Sequence, residues 1–77
     1  MGTSAQHSPA YRRLCRLLRQ QRLDAGLTVR ALAARLSKVH SYVAKVEHGS
    51  RRIDPVELVA WCKACGADPA KVIETIR

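Results

Sequence analysis

Residues 28–49 read Thr28-Val29-Arg30-Ala31-Leu32-Ala33-Ala34-Arg35-Leu36-Ser37-Lys38-Val39-His40-Ser41-Tyr42-Val43-Ala44-Lys45-Val46-Glu47-His48-Gly49. Thr28 can cap a helix running from Val29 to Leu36, with Val29, Leu32, Ala33 and Leu36 on its inward side. Ser37-Lys38 interrupts that helix. The pattern resumes from about Val39 to His48, placing Val39, Val43 and Val46 on one face, and Gly49 ends it. Ala33 supplies a small residue where the two helices cross; Leu32, Leu36, Val43 and Val46 supply hydrophobes around it. Two short helices joined by a tight turn, the second carrying polar residues on its open face, can fill a DNA major groove.

Outward from this pair the chain is punctuated in the same way. Ser8-Pro9 is a helix start, with serine as cap and proline tolerated at the first helical position. Tyr11, Leu14, Cys15 and Leu18 then form one apolar stripe, and Gly26 stops that first helix. Arg12, Arg13, Arg16, Arg19 and Arg22 cover the remaining surface, where the first three read as a solvated face. After a basic loop, Ser50-Arg51-Arg52-Ile53, the run Asp54-Pro55-Val56-Glu57 predicts a capped helix start close to a capping box. That fourth helix runs to Cys65, and Gly66 closes it. Asp68-Pro69 repeats the start signal for a fifth helix carrying Val72, Ile73 and Ile76. No segment alternates with period two, so the fold class is all-α with five helices. Residues 1–8 are expected to be a disordered tail and residues 9–77 one folded domain.

Seventy-seven residues leave room for one small domain only. Fourteen Lys and Arg against six Asp and Glu give a net charge of +8, which favours a polyanionic partner. The charge is uneven. Residues 1–53 hold eleven Lys and Arg against Asp24 and Glu47, a net of +9, whereas residues 54–77 come to −1. The partner surface is therefore expected on the first three helices and the following loop, with the last two as support or an interface. No apolar run approaches the roughly 18–20 residues that span a bilayer, and the first ten residues lack the charged-then-apolar layout of a secretory signal. A soluble cytoplasmic protein is expected. Ten arginines against four lysines, with no phenylalanine, suggest a GC-rich bacterial genome.

Chemistry is sparse. Three cysteines, Cys15, Cys62 and Cys65, do not close into disulfide pairs and read as reduced thiols. Cys62-Lys63-Ala64-Cys65 lies inside a helix, without the four ligands that structural zinc wants, so its cysteines read as structural. The acids, histidines and thiols form no nucleophile-and-base grouping. The expectation is a protein that is not an enzyme, with no cofactor, no metal and no evident small-molecule effector. Trp61 reads as core or dimer interface rather than as a base-stacking platform.

The segment Leu18 to Ile73 resembles the lambda-repressor-like (Cro/XRE-type) helix-turn-helix family. The residues carrying the resemblance are Arg22, Gly26-Leu27-Thr28, Leu32-Ala33, Leu36, Ser41 through Glu47, Gly49 and Arg51-Arg52. It implies that the third helix is the recognition helix, with His40, Ser41, Ala44 and Lys45 facing base edges. It implies that Arg22, Thr28, Tyr42, His48, Arg51 and Arg52 lie along phosphates, and that Arg22 and Glu47 form an ion pair. Three positions depart from the pattern. Val29 replaces a glutamine, Ser37 replaces the turn glycine, and Val39 replaces the serine or proline that starts the recognition helix, so the N-cap of that helix is lost.

The function so implied is a sequence-specific transcriptional regulator, expected to be a repressor on a palindromic operator in double-stranded DNA. A module reading four or five base pairs cannot find one genomic site alone, so a homodimer is expected, with Trp61, Ile73 and Ile76 as interface candidates. Small stand-alone members of the family include phage Cro-like repressors, antitoxins and restriction–modification controllers. The rival reading is a protein-interaction adaptor, or antitoxin-type partner-binding module, that reuses the fold through its last two helices. RNA binding comes third, on charge alone, since no aromatic-studded sheet is present to stack bases.

Overall fold

The computed structural model describes residues 8–77, so the tail expected over residues 1–8 lies, apart from Ser8, outside the described residues. Five helices follow in order: α1 (Pro9–Asp24), α2 (Val29–Arg35), α3 (His40–His48), α4 (Pro55–Ala64) and α5 (Pro69–Ile76). Four of the five begin on a side-chain cap. Ser8, Thr28, Asp54 and Asp68 each accept a hydrogen bond from a backbone N–H of their helix's first turn. At α4 the capping box is complete: the Asp54 carboxylate accepts from the Glu57 N–H at 2.8 Å, and the Glu57 carboxylate accepts from the Asp54 N–H at 3.0 Å.

Helix ends follow equally local rules. Gly26 (φ 73°) and Gly49 (φ 81°) take the left-handed backbone that turns the chain out of α1 and α3. Ser37, at φ 56°, takes it too, as the non-glycine residue in the α2–α3 turn. That turn is closed by the Lys38 N–H donating to the Ala33 carbonyl at 2.9 Å. Two arginines complete distant helices. Arg13 donates to the Ile76 carbonyl at 3.0 Å and Arg35 to the Ala64 carbonyl at 2.8 Å, placing a cation at the C-terminal ends of α5 and α4. Arg13 thus ties α1 to α5 instead of serving only as solvated surface.

The core lies between α1 and the other helices, with α2 packed chiefly on α3. Leu18, Leu32, Val43, Val46, Trp61 and Cys62 have no more than a trace of exposed surface. Trp61 corrects one expectation. It is 0% exposed, its indole N–H donates to the Leu18 carbonyl at 3.2 Å, and its ring packs beside Tyr42. A fully enclosed indole has no surface to give a dimer contact, so Trp61 belongs to the core. Ile76 is half-buried and Ile73 is 47% exposed, so they alone of the expected trio retain surface.

Val39 corrects another. A helical wheel puts it beside Val43 and Val46, yet it is 69% exposed. The reason is backbone conformation: Val39 is the N-cap of α3, extended at φ −73°, ψ 154°, so the wheel does not apply to it. Its side chain makes no cap hydrogen bond, and α3 is the one described helix that starts without one.

Candidate nucleic-acid interface

The helix-turn-helix positions its outer face by what it buries. Tyr42, Val43 and Val46 anchor α3 in the core. Residues one turn apart on the opposite side, Ser41, Lys45 and His48, are therefore exposed together, with half-buried Ala44 at the edge and exposed His40 in the first turn. The structure so brings His40, Ser41, Ala44 and Lys45 onto the open side of one nine-residue helix.

Arg22 and Glu47 form the expected ion pair. Nε donates to one carboxylate oxygen at 2.7 Å and Nη2 to the other at 3.1 Å, a bidentate fork across α1 and α3. Nη1 donates to the Leu27 carbonyl at 2.9 Å, bracing the loop before α2. Both side chains are nearly covered, at 9% and 7% exposure. The hydrogen bond to Glu47 outweighs desolvation and holds the guanidinium pKa above its ordinary value. Three of the five guanidinium N–H donors are taken by these bonds, so Arg22 is first a brace; what it could offer a phosphate is its small exposed remainder.

Around this brace lies a basic rim. Arg51 sits 4.8 Å from the Tyr42 ring centroid, Lys38 5.2 Å from the same ring, and Arg52 4.5 Å from the Tyr11 ring. Tyr11 also accepts the Ile53 N–H at 3.1 Å, fixing the loop that carries both arginines. Tyr42 is itself only 7% exposed, and burial pushes its phenol pKa up. Its ring packs against both cations, and little of its surface is left for a phosphate. Arg51 is held further, in a bidentate pair with Glu57 at 3.1 and 3.2 Å. Arg52, His48 and Thr28 are exposed, and the Thr28 hydroxyl accepts the Ala31 N–H at 3.0 Å as a cap.

Sequence reasoning missed the Arg51–Glu57 pair, Lys38 at the Tyr42 ring, and exposed Val39. Glu57 had a local explanation in its capping box, and the pairing depends on how the 49–54 loop folds back. Val39 had a signal: the resemblance already puts it at the cap position of the recognition helix, where the backbone is extended, and that excludes it from the face of Val43 and Val46. The cysteines take no part in the interface. Cys15 and Cys62 are buried, Cys65 is half-buried, and burial pushes all three thiols up, away from the reactive thiolate. Among the described residues, no group of three or more His, Cys, Asp or Glu could hold a metal, and no helix is long and apolar enough to cross a membrane.

A helix-turn-helix braced by an Arg–Glu pair and rimmed with arginine is the architecture of a DNA-binding regulator. The family described as a helix-turn-helix domain matches residues 7–74. The chain belongs to the XRE/Cro-type helix-turn-helix DNA-binding family. It is similar to an XRE-family like protein from Pseudomonas syringae pv. tomato str. DC3000, at 36% identity and a TM-score of 0.86, over 97% of this chain and 92% of that one. It is also similar to the clp gene regulator ClgR from Corynebacterium glutamicum, at 29% identity and a TM-score of 0.80. Two structures of that regulator each cover 90% of this chain, and 90% and 73% of their own. No curated protein matches the chain by sequence. Fold and family together make it a DNA-binding transcriptional regulator.

Proposed function

We propose that the chain acts as a repressor, binding a palindromic operator as a homodimer and reading it with α3. The observation that carries this reading is the division of α3 itself: Tyr42, Val43 and Val46 are locked inside while Ser41, Lys45 and His48 share the open face. With that face in the major groove, Lys45 donates to guanine O6 and N7. His40 and Ser41 offer hydrogen bonds to neighbouring base edges, and Ala44 gives close approach. Thr28, His48, Arg51 and Arg52 follow the phosphates, with Tyr42 supporting Arg51 through its ring and Arg22 acting at the covered end of the set.

Size supports the dimer. A nine-residue helix is only about 13 Å long, and the described residues span 33 × 25 × 20 Å. One copy thus reads one groove segment, whereas two-fold operators repeat at about 34 Å. The second copy would meet the first through α4 and α5, where Val56, Val59 and Ile73 are exposed and where the segment 54–77 itself carries a net charge of −1. Selection from random-sequence DNA, followed by gel shift against a scrambled control and sedimentation with and without DNA, tests the proposal. The expected result is an enriched palindrome bound by a dimer. A monomer on a non-symmetric site overturns the dimer, and no enrichment at all favours the adaptor reading.

A further inference from the structure

We propose that Val39 reads the 5-methyl group of a thymine at the edge of the sequence recognised by α3. The inference rests on α3 being the reading helix and adds a residue that hydrogen-bonding logic passes over. Five large hydrophobics are exposed among the described residues: Leu23, Val39, Val56, Val59 and Ile73. Four of them lie on α1, α4 and α5. Val39 alone adjoins α3, immediately before His40 and Ser41, with 69% of its surface open.

Two further observations set Val39 apart. It occupies a position where a serine, threonine, asparagine or aspartate would cap the helix, and the other four described helices use such a residue. Here the cap hydrogen bond is absent. Nor does Val39 gain burial in return, because its extended backbone takes it off the face shared by Val43 and Val46. An exposed, β-branched side chain with no capping and little packing role therefore stands at the N-terminal end of the helix. In helix-turn-helix docking, that end contacts base edges. The one apolar feature that base edges present in the major groove is the thymine methyl, and an aliphatic side chain is its match. Binding would then bury an isopropyl group that the free protein leaves in water.

The test uses the selected operator with each thymine replaced in turn by uracil, which removes the methyl group and leaves the pairing edge intact. Affinities are measured by fluorescence anisotropy for the wild type, Val39→Ala, Val39→Ser and Val39→Thr. At one thymine per half-site the wild type is expected to lose about threefold to tenfold on the swap. Val39→Ser should bind thymine and uracil operators within about twofold of each other, Val39→Ala, left with only a β-methyl, should lose much of the discrimination, and Val39→Thr, which keeps a γ-methyl, should retain most of it. Val39→Ser and Val39→Thr should also raise Tm by restoring the cap, a direction opposite to that of a residue kept for stability. A selected site with no thymine at that edge overturns the proposal, as does a thymine-to-uracil penalty that survives Val39→Ala unchanged. Lys45→Ala and Ser41→Ala, run beside these, separate the two levels. If they shift base preference but no uracil swap depends on Val39, only this inference fails. If neither shifts preference, the reading helix itself is misassigned.

Discussion

At the scale of single residues, charge here is used in two ways that burial tells apart. Glu47 and Arg22 are nearly enclosed, so removing one partner strands the other in a poorly solvated site. Glu47→Ala is expected to lower unfolding free energy by about 3 kcal/mol in urea titrations, and to weaken binding to every DNA sequence alike as Arg22 and the Leu27 loop loosen. A change of less than about 0.5 kcal/mol would mean that solvent screens the pair as it does on a surface. The ion pair was legible in the sequence because it rests on two matching positions. Its near-complete enclosure was not, since that depends on how α1 and α3 pack. Ser37 is the opposite case, a strain that could be read directly from a serine standing where the turn wants glycine. Its φ of 56° carries that strain. Ser37→Gly should stabilise by about 0.5 kcal/mol after the greater flexibility of the unfolded glycine chain is deducted. The corresponding rise in Tm is about 2–4 °C, and scanning calorimetry should resolve it.

At the scale of elements, the helix starts were legible because each rests on a residue or two: Ser8-Pro9, Thr28, Asp54-Pro55 and Asp68-Pro69 all cap where expected. Faces were legible wherever the backbone is helical. Periodicity failed at Val39 because the residue lies one step outside the helix, and it could not place Arg35 at the end of α4, which is a contact of tertiary structure. The division of α3 makes a sharp forecast. Lys45→Ala and Ser41→Ala, both exposed, should leave stability within about 0.5 kcal/mol while relaxing preference at one or two base positions. Val43→Ala, in a site with no exposure, should cost about 2 kcal/mol and leave preference intact in the protein that remains folded. Selection profiles paired with thermal melts check both. The start of α4 has a pH signature of its own. The Asp54 N–H, and then Arg51, hold the Glu57 carboxyl below its usual range. A lowered folded-state pKa gives stability that is fully present above the ordinary glutamate value, about 4.3, and is lost as pH falls through the lower folded value. Glu57→Gln should therefore flatten the acid limb of a Tm-against-pH curve, and an unchanged limb would exclude the pair as a contributor.

For the whole molecule the decisive quantity is how the +9 of residues 1–53 is presented, because most of DNA-binding affinity at low salt comes from released counterions. Residues 54–77, at −1, complete the core through Leu58, Trp61, Cys62 and Val72 and expose Val56, Val59 and Ile73, the residues the proposed dimer would cover. The proposed dimer, neutralising roughly six to ten phosphates, should lose affinity by about 0.9 log units per log unit of salt for each of them. The rim arginines should not contribute equally. Arg51 is already paired with Glu57, whereas Arg52 rests over the Tyr11 ring with no carboxylate bound to it among the described residues. An aromatic face supports a guanidinium without neutralising it, but a carboxylate competes with phosphate for the same N–H donors. Arg52→Ala should therefore flatten the salt slope by about one phosphate equivalent per subunit, and Arg51→Ala by less. Glu57→Gln should act in the reverse direction, releasing Arg51 and tightening binding to all sequences at low salt with little effect at high salt. Anisotropy titrations across a salt series, on the selected operator and on a scrambled duplex, read all three variants. Equal slopes for Arg51→Ala and Arg52→Ala, with no gain in Glu57→Gln, would mean that the carboxylate leaves Arg51 when DNA arrives. A slope that none of the three variants alters would move the phosphate contacts off this rim, towards the exposed arginines of α1.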